Sequence, residues 1–197
     1  AINSITEKKN NSITFFLILY CILVTSKYHL RFNEDRKFHE LNQVNFSKSI
    51  PATKIDSKLK GLKWITPAYK DNVEEEINFI KNLKSQIQTD KRKKMVITHY
   101  SFISSILDEN FFSPSMAYTS DGSIIPLKNN KYSQKYKNLV INLIKKNNVD
   151  VIYIVYPVHK DSIADYLDKS CLKEKLILKG VVGYEIKRCK DLIGKNN

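Results

Sequence analysis

The sequence predicts an α/β protein: a three-layer sandwich on a largely parallel sheet, Rossmann-like in topology but without a dinucleotide motif, preceded by one transmembrane helix. Two observations carry that expectation. An uncharged apolar run fills residues 13–24, and short β-rich runs alternate with helical patterns of about 10–15 residues from residue 62 onward. The 197 residues make one domain of ordinary size plus an appendage and fall short of two full cores. With 42% hydrophobic and 27% charged residues, a wholly disordered or collagen-like chain is excluded.

The run from Ile13 to Val24 is apolar on every face, which no amphipathic surface helix can be. From Ser12 to Ser26 it makes a helix of about 22 Å. Extended to Leu30, with Lys27 snorkelling and Tyr28 at the interface, it reaches about 28 Å against a hydrocarbon core of about 30 Å. The lipid bilayer is therefore the expected partner. Two alternatives stand beside it: a secretory signal with Lys8 and Lys9 as its basic start and cleavage after Ser26, and a buried core helix. A start at Ala1 fits either removal of an initiator or a fragment, in which case residues 1–11 are a loop from a preceding span. Lys8 and Lys9 then favour the cytoplasm for that loop, although Lys27, Arg31, Arg36 and Lys37 pull the other way. The layout is a polar loop or tail over 1–11, the transmembrane helix over 12–30, a connector over 31–60 and the α/β domain over 61–194.

Within the connector Pro51 opens a short helix that Gly61 ends. Leu62 to Thr66 reads as a strand stopped by Pro67. Asp71 to Gln88 reads as a helix whose core face is Val73, Ile77, Ile80, Leu83 and Ile87, with Glu74, Glu75 and Glu76 in the first turn where the dipole favours anions. Met95 to Thr98 is a strand, followed by a helical stripe of Phe102, Ile103, Ile106 and Leu107. A further helix, Tyr132 to Asn147, carries Tyr136, Leu139, Val140, Leu143 and Ile144 on one face. Val151 to Tyr156 is apolar without alternation, as in a strand covered on both faces. Asp161 to Leu172 suggests a helix, and Lys175 to Leu178 and Tyr184 to Arg188 suggest closing strands.

The net charge of +13 does not read as nucleic-acid binding: it comes from 29 lysines against four arginines, spread over every segment, and arginine is the residue that bidentate phosphate recognition prefers. The five glycines form no phosphate-cradling loop, no Asp-x-Asp pair occurs, and His39-Glu40 lacks the second histidine of a zinc helix, so no cofactor and no metal is expected. Cys171 and Cys189 can pair in an oxidising compartment or remain thiols, while Cys21 packs in the apolar segment.

Ligands collect beyond the carboxyl ends of parallel strands. Those ends offer Thr98, His99 and Tyr100, then Tyr156 and His159, with Tyr118 to Asp121 in the long loop. His99 with Asp121 is the candidate acid/base pair; a satisfied turn or helix cap is the plainer alternative.

The stretches Lys58 to Pro67, Lys94 to Leu107 and Asn130-Lys131-Tyr132 resemble the C-terminal soluble region of bacterial multi-spanning membrane proteins grouped with the C-type glycosyltransferases, the class that includes the dolichyl-phosphate-mannose protein mannosyltransferases. The resemblance implies a lipid-phosphate sugar donor, an active-site carboxylate in an upstream outward loop, and a C-terminal domain on the periplasmic side of a bacterial inner membrane. None of the resembling motifs is catalytic, so no catalytic residue carries over to this sequence. The expected function is that of a fragment whose catalytic part lies upstream; a singly anchored or secreted, non-catalytic α/β binding domain is the alternative.

Overall fold

The computed structural model describes residues 2–31, 41, 44–116, 118, 124–126, 129–159, 163 and 166–187, the side chains of 2–11 excepted. The chain divides into two compact units, Ala1–Ile50 with Lys63–Val73, and Pro51–Leu62 with Glu74–Asn197.

The first unit holds α1 (Ile2–His29), 28 residues and so about 42 Å long. Its stretch Ser12–His29 is long and apolar enough to cross a membrane, with a mean hydropathy of 1.4, and none of it is buried. Phe15, Phe16 and Leu17 all stand exposed. A buried core helix would hide this segment, and here it is not buried. A 3₁₀ turn at Phe46–Lys48 is capped by Asn45, whose side chain accepts from the Ser47 amide at 3.0 Å.

The strand expected over 62–66 shrinks to two residues. Lys63–Trp64 stands outside the main sheet, as does the two-residue Ile50–Pro51; these are β2 and β1. The single helix expected after Pro51 is instead two 3₁₀ turns, Ala52–Lys54 and Ser57–Leu59, the second capped by Asp56. In the second unit Asp56 also accepts from Lys84 Nζ at 2.6 Å, and that bond holds its carboxyl below the ordinary range.

Lys84 lies on α2 (Val73–Thr89), where the predicted core face is realised: Ile77, Ile80, Leu83 and Ile87 are fully buried. The main sheet follows from β3 (Lys94–Ile97), β4 (Val151–Val155), β5 (Leu172–Leu178) and β6 (Val181–Ile186), ordered β3-β4-β6-β5. Among the described residues two helices fall between β3 and β4: α3 (Phe102–Leu107) and α4 (Ser133–Asn147).

The sheet is mixed, which corrects the expectation of a largely parallel one. β3 and β4 run parallel, with Met95 opposite Ile152, but β6 is antiparallel to both β4 and β5. The physical reason lies in the connection: Lys179 and Gly180 alone join β5 to β6, and a two-residue turn closes only an antiparallel pair. Gly180 supplies the positive φ of 86°. The last turn of the expected Asp161 to Leu172 helix is also corrected, since Lys169–Cys171 is a 3₁₀ turn and Leu172 begins β5; most of its first turn lies outside the described residues.

On one sheet face Met95, Ile97, Ile152, Ile154 and Tyr184 pack with Val140, Ile141 and Ile144 of α4. Ile141 takes the place the sequence suggested for Leu139, which is 44% exposed. Val96, Tyr153 and Val155, pointing the other way by the period-two rule, are buried as well. At the start of the strands Arg92 grips Asp90 at 2.8–3.1 Å and Glu185 at 3.1 Å, while Tyr153 donates its hydroxyl to Asp90. Although burial opposes it, the hydrogen bonds from Arg92 and Tyr153 hold the Asp90 carboxyl below its usual range; burial pushes the Tyr153 phenol up to about 12.

Candidate functional site

The carboxyl end of β3 runs straight into the residues singled out from the sequence. Thr98 is buried, and its Oγ1 accepts from the Tyr100 amide at 3.0 Å, a turn that locks the chain between strand and helix. Tyr100 is buried too and donates its hydroxyl to the buried carboxylate of Glu76 at 3.0 Å. His99 stacks on the Tyr100 ring with centroids 3.7 Å apart. Its Nδ1 is buried without a hydrogen-bond partner, and burial pushes its pKa down to about 4. A histidine so placed is neutral near pH 7.

The partner proposed for it, Asp121, lies outside the described residues, so the structure neither brings the pair together nor separates it. Tyr156 and His159 stand exposed beyond β4. Tyr118, in the long loop, is buried, and its hydroxyl accepts from the Ser115 amide at 3.2 Å. Burial raises the Tyr118 phenol well above its ordinary value. Cys171 is buried and disulfide-bonded, and Cys21 is a free, exposed thiol; Cys189 lies outside the described residues.

What the histidine-led reading missed is a cavity of about 410 Å³ between β3, α3 and the loop that follows. The strand order leaves β3 at an edge of the sheet, yet all four of its residues are buried. The loop covers that edge, with Ser113 Oγ donating to the Val96 carbonyl. Into the space between project Ser101, Ser104, Ser105 and Asp108, spaced 3, 1 and 3 as one face of a helix requires, while Ile103 and Ile106 on the opposite face enter the core. That pattern, Ser-x-x-Ser-Ser-x-x-Asp, is a signal of spacing and not of ionisation.

Two carboxylates reach the cavity, and both are neutralised from outside it. Asp108 pairs with Lys58, and Glu109 with Lys94, whose side chain is 2% exposed. No lysine, arginine or histidine is found among the described lining residues. Asp108 and Phe112 adopt left-handed backbone, φ 52° and 49°, and so set the two bends of the covering loop. The arrangement sets hydroxyls beside an apolar wall, and no histidine stands among the described lining residues. No protein-family model, no curated protein and no solved structure matches this chain.

Proposed function

We propose that this chain is the C-terminal part of a polytopic, glycosyltransferase-like membrane protein that uses a lipid-phosphate sugar donor, with its catalytic part upstream and its α/β domain on the periplasmic side of a bacterial inner membrane. The observation that carries the membrane part is that none of Ser12–His29 is buried, which leaves an apolar surface that only lipid or a partner protein can cover at low cost. The resemblance over residues 58–67, 94–107 and 130–132 supports the lineage. The disulfide at Cys171 supports an oxidising compartment. We read α4 and α2 as outer layers on opposite faces of the sheet, which fits burial of both faces of β4.

A second reading, a singly anchored or secreted α/β binding domain without catalysis, is favoured by the hydroxyl-lined cavity. The upstream reading frame discriminates them: several further hydrophobic segments of about 20 residues with a carboxylate in the first outward loop belong to the transferase alone. Orientation is tested at Leu176, 70% exposed on β5. Leu176→Cys should react with a membrane-impermeant maleimide in cells whose inner membrane is intact; reaction only after that membrane is permeabilised would contradict the periplasmic placement.

A further inference from the structure

We propose that the cavity between β3 and α3 is a binding site for a neutral polyhydroxyl ligand, a small saccharide. The inference is independent of the membrane tether, because every lining residue belongs to the α/β unit. At about 410 Å³ the cavity falls within the range of small-molecule sites, about 300–1,000 Å³.

The selectivity follows from which hydrogen-bonding capacity the fold has already used. Ser104 Oγ donates to the Ser101 carbonyl at 3.0 Å and Ser113 Oγ donates to Val96, so both present lone pairs to the cavity. Thr98 Oγ1 accepts from a backbone amide and keeps its own proton to give. The Ser101 and Ser105 hydroxyls make no hydrogen bond among the described residues and can turn either way. A lining of intermixed donors and acceptors matches a ligand whose own groups are hydroxyls, each both donor and acceptor.

The charges exclude the other classes. An anionic ligand would find no lysine, arginine or histidine among the described lining residues, because the two lysines nearest the carboxylates are already engaged with Asp108 and Glu109. A cationic ligand would compete with the buried Lys94 for Glu109 and, more weakly, with the exposed Lys58 for Asp108. A neutral ligand disturbs neither pair, and Phe111 with Met116 offers its C–H faces an apolar wall.

Saturation-transfer NMR on the whole chain in a zwitterionic, sugar-free detergent tests this. D-glucose, D-galactose and N-acetyl-D-glucosamine are the probes; ethanolamine, read directly, and inorganic phosphate, read as a competitor that abolishes transfer to the sugar, are the controls. The expected result is transfer to the ring protons of at least one sugar, with a dissociation constant at or below about 10 mM. Ser105→Phe, which fills the cavity, should weaken it more than about tenfold. Should that variant fail to fold, the Ser101→Ala/Ser105→Ala double variant decides: both residues are exposed, so folding is spared, and loss of two hydroxyl partners should weaken binding about threefold to tenfold. No transfer to any of the three sugars, undiminished binding in a folded Ser105→Phe or in the double variant, or tighter binding of phosphate or ethanolamine would each overturn the proposal.

Discussion

The helices α1 and α2 carry Ile, Leu and Phe in similar proportion, ten in 28 residues and five in 17, and put them to opposite use. On α2 the apolar residues fall at spacings of 3 and 4, Ile77, Ile80, Leu83 and Ile87 vanish into the core, and Lys81 stays outside. On α1 the apolar residues encircle the axis from Ile13 to Val24, and the structure buries none of them. Hydrophobicity alone does not say where a helix goes. Its angular distribution does: a stripe specifies a protein neighbour, and a full circumference specifies an apolar solvent.

That contrast can be broken most forcefully on α1. Replacing Phe16 and Leu19 together by lysine places two charges in the middle of the span, each costing about 2.5–3.5 kcal/mol on insertion, and should move the chain from the membrane to the soluble fraction on alkaline extraction. The next largest effect sharpens it from the other side. Leu83→Ala should cost about 2–5 kcal/mol of domain stability in urea unfolding, because a buried cavity is left, whereas Leu17→Ala should change it by less than about 0.5 kcal/mol. A smaller loss, about 1–3 kcal/mol, is expected for Asp90→Asn, which weakens the fork from Arg92 and the bond from Tyr153, read by the same unfolding series.

The smallest effect is a pH slope. His99 titrates near 6.5 when unfolded and at about 4 when folded, so the native state binds fewer protons between those values. Its contribution is fully present above about pH 6.5 and declines as pH falls toward 4. The urea midpoint of the native sequence should therefore drop between about pH 7 and about pH 4.5 by more than that of His99→Gln; equal drops would show that this imidazole is not desolvated.

The same distinction explains how much could be read beforehand. Periodic stripes such as that of α2 and the unbroken run of β4 were legible, because burial imposes a period on the residues themselves. Strand direction imposes none. The expectation of a largely parallel sheet came from counting alternating elements, and it failed where Lys179-Gly180 left no room for a crossover. The site was legible only in part. His99 drew attention as a titratable group after a strand, yet the cavity belongs to the serine face of α3, whose signal is spacing and not ionisation. That β3 is an edge strand and still buried could not be read at all, since the loop that covers it carries no periodic mark.

The most direct test is alkaline carbonate extraction of membranes from cells making the chain as it stands, followed by mass measurement of the retained species. The account predicts that it stays in the membrane pellet with residues 12–29 still attached. Release into the supernatant, or a detergent-free monodisperse protein that has kept that segment, would contradict it.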